Sequence, residues 1–278
     1  MTHEHGTNTA PLDLSGLRQV LDSNQLVCVV GYGLSEEASI PQFDGILKGV
    51  WSSKPRNIDP FEDTRGRDTV LGWLNWRKQI INKKDRTEYF TPVLELKRAL
   101  PSLVIATQCV DGQLRKTGLQ EVHELYGNIF EGRCSQCSLE ADIDDDLKRC
   151  ACNGVVFPDA SMFDWNLKSE ALKAIQTAAI NADALILIGS DPSLAPLHEL
   201  YSRGYAGQIL DVLPNGFLLS DRFGIRKATA PDLTSHLEKE HGTRIPVSGG
   251  YGIFENLKFL VQLVKAMHQD EQGLAINR

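Results

Sequence analysis

Leu26 to Gly45 reads LVCVVGYGLSEEASIPQFDG, and no other stretch constrains the fold as tightly. Its first five residues, Leu26-Val27-Cys28-Val29-Val30, have no polar alternation, the pattern of a strand covered on both faces. The run passes directly into Gly31-Tyr32-Gly33 with Ser35 two residues on. Glycines after a buried strand let the backbone turn sharply and approach a ligand, and N–H groups left free there suit a diphosphate. An ordinary strand-to-helix turn has the same local signature, so the fold must be argued from the rest of the chain.

Three further apolar runs repeat the strand pattern: Leu103 to Thr107, Ala184 to Ile188 followed by Gly189-Ser190-Asp191, and Gln208 to Val212. Helical spacing marks Leu12 to Asp22, Glu170 to Asn181, Leu194 to Arg203 and Glu255 to His268. Thr91 to Leu100 reads as a helix with Thr91 as N-cap and Pro92 at its first position. Strands alternating with helices, with Gly, Ser and Asp after the strands, predict an α/β fold: a doubly wound, Rossmann-like parallel sheet with its ligand at the strand ends. From Ile46 to about Lys84 the pattern lapses, and the large apolar groups there, Trp51, Trp73 and Trp76 among them, are expected to pack.

Four of the six cysteines are clustered as Cys134-x-x-Cys137, twelve residues, then Cys150-x-Cys152. Two short chelating turns of this kind present four thiolates to one tetrahedral zinc, with no position left for a substrate. A structural zinc ribbon is therefore expected, although the CxC half is one residue tighter than the usual CxxC. The other two, Cys28 in the first strand and Cys109, are expected to be reduced thiols.

The frame GxGxSxxxxIPxFxG at Gly31–Gly45, the hexapeptide Thr107-Gln108-Cys109-Val110-Asp111-Gly112, and Glu124-Leu125-Tyr126-Gly127 followed by the cysteine cluster occur in one order. This arrangement resembles the sirtuins, NAD-dependent protein-lysine deacylases. The resemblance implies a small domain of helices, cofactor loop and zinc ribbon beside the Rossmann-like sheet. It divides the chain into a discontinuous nucleotide-binding domain (12–47, 91–130 and 154–268), a small domain (48–90 and 131–153) and tails (1–11 and 269–278). It implies a pocket for NAD or ADP-ribose formed by Gly31, Gly33, Ser35, Phe43, Asp44, Gln108, Asp111, Gly189, Ser190 and Asp211.

Matched residue by residue, three positions depart from the family pattern. Cys109 stands where sirtuins carry an Asn, and a thiol is a weak donor and weak acceptor beside an amide. Tyr126 replaces the His that acts as general base; a phenol near pKa 10 is ionised only about one part in a thousand at pH 7. The general-base contribution, of order 10²–10⁴-fold, is largely forfeited. Asp44 replaces the Arg of the first motif and puts an anion near the expected diphosphate. Further along, Tyr32 occupies a small-residue position, and Asp164-Trp165 replace the Gly-Glu of the segment that pairs with substrate peptide.

Composition excludes other classes. The formal charge of −7 leaves no electrostatic footprint for nucleic acid, and no apolar run reaches the length needed to span a bilayer. The polar start lacks the features of a signal peptide, so a cytoplasmic location is expected. Partners are expected to be a nucleotide and, in addition, an acylated peptide or another protein. The functional expectation is a pseudoenzyme or nucleotide sensor without ordinary deacetylase activity. An NAD glycohydrolase or ADP-ribosyltransferase, with Cys109 and Tyr126 facing the ribose, and a retained deacylase stay open as alternatives.

Overall fold

The computed structural model describes residues 10–40, 71–72, 74–80, 86–143, 146, 148–160, 169–190, 197, 200, 205–221, 224–241 and 252–276. Phe43, Asp44, Trp51, Trp73, the Asp164-Trp165 pair and most of the helix expected at 194–203 lie outside them.

An eight-stranded sheet forms the body. Its parallel part consists of β2 (Leu26–Val30), β3 (Val104–Thr107), β4 (Val122–Glu124), β8 (Ala184–Ile188) and β9 (Gln208–Leu213) in the spatial order β9-β8-β2-β3-β4. The chain thus winds outward from β2 through β3 to β4 on one side, and from β8 to β9 on the other. Every residue of β2 and β8 is buried, as both-face coverage requires. The winding reverses between these two strands, and their C-terminal ends open the crevice where an α/β sheet holds its ligand.

Four strands expected from sequence are present within one residue of their bounds. Beyond them the sheet continues through an antiparallel hairpin, β10 (Gly216–Asp221) and β11 (Gly224–Ala228), and ends on the two-residue β1 (Ala10–Pro11). Asn215-Gly216 lies at the tight turn that joins β9 to β10 and is the sequence signal for that reversal of direction. A separate three-stranded sheet pairs β5 (Gly127–Cys134) with β6 (Glu140–Ala141) and β7 (Val156–Ala160).

Helices cover the large sheet. In α1 (Leu14–Leu21), Leu14, Leu17, Val20 and Leu21 are buried, and the Asp13 carboxylate caps the helix by accepting from Gly16 N at 2.9 Å. α2 (Tyr32–Glu37) begins directly behind Gly31. α3 (Thr91–Ala99) starts one residue away from expectation: Phe90 is its N-cap. Thr91 instead donates its hydroxyl to the Thr87 carbonyl at 3.0 Å, so its side chain serves the preceding turn. α4 (Gln113–Lys116), α5 (Ser169–Ile180) and α6 (Ala230–His241) follow. The last helix, α7 (Ile253–Ile276), is longer than expected and packs along α2 and α3. Trp76 is buried in the main core, as the packing expectation for that residue requires. Among the described residues no helix is long and apolar enough to cross a membrane.

Candidate functional site

The glycine turn after β2 is stitched to the exit of β8. Gly31 N donates to Ile188 O and Gly33 N to Gly189 O, each at 2.9 Å. A Cβ on Gly31 would overlap the backbone of Gly189 and Ser190, and one on Gly33 would lie 2.9 Å from Gly189 Cα. These glycines are therefore needed for the close approach of two strand ends. The expectation of free glycine N–H groups for a diphosphate is corrected here, because both donors are spent on β8 and its turn. Ser190 reaches back to donate to Val29 O at 2.5 Å, which locks the same junction.

The loop after β3 lies beside this turn. Thr107 Oγ1 donates to Val30 O at 3.0 Å and accepts from Cys109 N at 3.0 Å, while Gln108 N donates to Val30 O at 2.8 Å. Ser35 Oγ donates to Asp111 Oδ2 at 2.6 Å and lies 3.4 Å from Cys109 Sγ. With the Ser35 proton committed to the carboxylate, the thiol is the donor in the second contact. Asp111 Oδ1 also accepts from Gln113 N at 3.1 Å. Ser35, Cys109 and Asp111 are all buried.

Burial raises the Asp111 carboxyl above the usual carboxylate range, against the Ser35 and Gln113 hydrogen bonds that favour its charge. Cys109 is pushed far above an ordinary thiol by burial first and by the Asp111 charge second. It stays a thiol at neutral pH, and a buried thiol with a carboxylate neighbour is a poor nucleophile.

Tyr126 follows β4. It is half-buried and packs against the main core and the Ala106, Leu125 and Ile175 cluster. Leu125 N donates to Thr107 O at 3.0 Å, which holds this loop against the β3 loop. Just before it, the buried Glu124 accepts from Asn128 Nδ2 at 2.8 Å and pairs with Arg115 at 2.9 Å. Asp211 lies in β9 opposite Leu187 and Leu218. Burial lifts its carboxyl to about 6, and among the described residues none bonds to it.

The sites expected from sequence therefore gather in part. Gly31, Gly33, Ser35, Gln108, Cys109, Asp111, Gly189 and Ser190 meet at the ends of β2, β3 and β8, with Tyr126 one strand further out. Asp211 sits across β8 on β9, while Phe43 and Asp44 lie outside the described residues.

In the smaller sheet, the sulfurs of Cys134, Cys137, Cys150 and Cys152 all lie within 4.8 Å of one another. The Cys134–Cys152 and Cys137–Cys150 separations are 3.4 and 3.7 Å. Tetrahedral zinc with bonds of about 2.3 Å sets its sulfurs about 3.8 Å apart, so the donor set fits that ion. The short CxC half closes because Asn153 takes φ +72° and Gly154 lets the chain approach Cys134 Sγ closely. Burial opposes ionisation of Cys134, but N–H groups of Cys137 and Gln136 hold it down to about 6. The Leu139 N–H favours a Cys137 thiolate, yet the nearby Cys152 and Cys134 side chains push that thiol up to about 12. A divalent cation removes this mutual opposition and stabilises four thiolates together.

The Sir2 family model matches residues 31–196, more than half of the chain. The chain belongs to the Sir2 family. It is similar to an NAD-dependent protein deacylase of Aquifex aeolicus, 28% identical over 204 residues, spanning 70% of this chain and 85% of the relative. Its fold is similar to a mutant Sir2 homologue in complex with ADP-ribose: TM-score 0.64, 22% identity, 93% of this chain and 98% of the other. A Sir2 homologue–NAD complex gives a TM-score of 0.65 at 21% identity, covering 95% and 98%.

Two groups at this sirtuin-fold site escaped the sequence reading. Glu37, inside the first motif, caps the N-terminus of α7, 216 positions away. Gln113 is buried beside Asp111, and among the described residues its Oε1 has no hydrogen-bond partner. Helical spacing exposes neither, since both depend on contacts between distant elements.

Proposed function

We propose that this sirtuin-fold protein binds NAD or ADP-ribose at the ends of β2, β8 and β9 and does not carry out ordinary lysine deacylation. The observation that carries the reading is Cys109, buried and protonated, with its S–H turned to the Ser35–Asp111 pair. An amide at this position would offer two donors and a carbonyl, whereas the thiol offers one weak donor already in use. Tyr126 is a half-buried phenol built into apolar packing, which is a poor base at neutral pH.

The scaffold supports nucleotide binding in its own terms. The glycine junction fixes the ends of β2 and β8 where an α/β sheet holds its ligand, and Asp211 offers a carboxylate suited to ribose hydroxyls, as acidic residues do in other dinucleotide sites. NAD, when bound, would supply the labile nicotinamide–ribose bond. This chain's residues would hold the nucleotide and exclude water, with Ser190 and Asp211 at the adenosine end and Gln108 and Asp111 at the other. The same reading keeps the nucleotide-binding domain at 12–47, 91–130 and 154–268 and the small domain at 48–90 and 131–153, with the four clustered cysteines in the latter.

Retained deacylation, with an acylated peptide as partner, is favoured by what the curated relatives are named. The decisive experiment incubates the protein with NAD, with and without an acetyl-lysine peptide mixture, and follows nicotinamide release and thermal shift. A shift without release supports the proposal, and release only with peptide replaces it by deacylation. Nicotinamide release without peptide would instead mean altered chemistry. Under the proposal, Cys109→Asn with Tyr126→His adds activity of roughly 10²–10⁴-fold over background.

A further inference from the structure

The family match ends at residue 196, yet the helix that begins at Ile253 reaches the centre of the site. Glu37 ends α2, the helix opened by the glycine turn. Its two carboxylate oxygens accept from the first two N–H groups of α7, Ile253 N at 2.5 Å and Phe254 N at 2.7 Å. Gly252, at φ +149°, leaves the room this carboxylate needs: a Cβ there would stand 3.2 Å from Glu37 Cδ. A capped Ile253 is delivered onto the glycine junction, where its Cδ1 lies 2.8 Å from a Cβ placed on Gly33 and 3.0 Å from one placed on Gly189. From the other side, Gly252 N donates to Pro214 O at 2.9 Å and Asn256 Nδ2 to Leu213 O at 2.6 Å, which ties the same turn to the end of β9.

From this convergence we infer that Glu37 is a positioning residue for the nucleotide pocket, acting through Ile253. The carboxylate satisfies two N–H groups that no helix supplies with partners, and complements the positive end of the helix dipole. In doing so it makes one rigid junction of the glycine turn, the β8 exit and the C-terminal helix. Without it the first turn of α7 frays, Ile253 withdraws, and Gly33 and Gly189 lose the group that packs them together. Ligand affinity is then governed by a residue with no need to touch the ligand. This inference rests on the nucleotide reading above for its ligand, but the junction itself can be tested without any.

Three variants separate the parts. Glu37→Ala removes the cap, Ile253→Ala keeps the cap and removes the packing, and Asp13→Ala removes an unrelated cap on α1 as a stability control. Hydrogen exchange is followed on peptides covering 31–37 and 252–260, and ADP-ribose affinity is measured by calorimetry. The expected result is faster exchange in both peptides for Glu37→Ala, and in 31–37 for Ile253→Ala. ADP-ribose binding weakens roughly 10-fold for Glu37→Ala, the size of a lost cap read as affinity. Glu37→Gln, which keeps one acceptor, recovers part of the loss, and Asp13→Ala changes neither exchange at 31–37 nor affinity. Exchange at 31–37 unchanged in Glu37→Ala, with only 252–260 loosened, overturns the inference. Wild-type protein that does not bind ADP-ribose would sink the nucleotide reading, while the exchange data still decide whether Glu37 ties the junction.

Discussion

The two sheets use the same side chain in opposite ways. In the three-stranded sheet four thiols crowd together on turns that aim N–H groups at sulfur, one of them ionises near pH 6, and a cation is needed to settle the rest. At the end of the large sheet a single thiol, Cys109, is sealed among Ser35, Thr107 and Asp111 and held protonated. Chemistry therefore follows from surroundings: convergence and amide donors make a ligand set, whereas burial beside a carboxylate makes an inert thiol.

Metal removal should separate the regions most. Structural zinc sites in small modules bind with about 10–16 kcal/mol, so stripping the ion or changing Cys134 to Ser should unfold the ribbon. Elemental analysis should return one zinc per chain, and scanning calorimetry should show a lost or strongly lowered transition in the variant. A metal ratio near zero in protein purified without chelator would remove the ribbon side of the contrast.

Thiol labelling sharpens it. In the native protein at pH 8, iodoacetamide should leave Cys109 and Cys28 unmodified by mass spectrometry, since burial raises both, Cys28 to about 12. After chelation the four ribbon cysteines should label within the same period. Rapid modification of Cys109 would mean an accessible thiolate and revive the altered-enzyme alternative.

The ribbon was readable because its information is local: four cysteines at short spacing define a metal site almost without the fold. The parallel core was readable for a similar reason, since β2 and β8 are buried on both faces and their apolar runs show it. The state of the pocket was not. That Gly31 and Gly33 spend their N–H groups on Ile188 and Gly189 depends on a strand more than 150 positions away. Likewise the family motif located Cys109, but only the fold shows which hydroxyl and which carboxylate enclose it. The reversal from β9 into β10 was signalled by Asn215-Gly216, but local turn chemistry does not show that the sheet continues through two further strands.

Carboxylates extend the comparison at a smaller scale. Asp159 beside the ribbon is held by Arg133 at 2.8 Å, and that hydrogen bond raises the guanidinium above its usual value. Asp211 in β9 has burial and, among the described residues, no bonded partner to compensate it. A carboxyl that is harder to ionise when folded binds its proton better in the native state. Its favourable contribution is present below about pH 4, the unfolded value, and is lost as pH rises through about 6. Asp211→Asn should therefore stabilise the protein at pH 8 by about 2 kcal/mol after allowance for solvent screening, and by almost nothing at pH 4. Asp159→Asn should destabilise by about 1 kcal/mol at pH 8. Equal effects of the two changes across pH would mean that Asp211 has found a partner.

The smallest test uses two serines in the left-handed region, one beside the large sheet and one beside the small: Ser39 at φ +55°, where the chain leaves α2, and Ser138 at φ +59°, in the first cysteine turn. A side chain in this conformation costs about 1–2 kcal/mol, and glycine returns part of that advantage through its greater freedom when unfolded. Ser39→Gly should then stabilise by about 0.5 kcal/mol, a rise of about 1–2 °C in Tm, since the backbone bonds of the turn, Ser39 N to Glu36 O and Ile40 N to Ser35 O, each at 2.9 Å, form with either residue. Ser138→Gly should leave the Tm of zinc-loaded protein nearly unchanged, since the ion clamps that turn whichever residue occupies it. Its gain should appear as tighter zinc in a competition with a chelator. A Tm rise at Ser138 equal to that at Ser39 would mean that the metal does not dominate the ribbon's stability, and that the two sheets differ less than their cysteines imply.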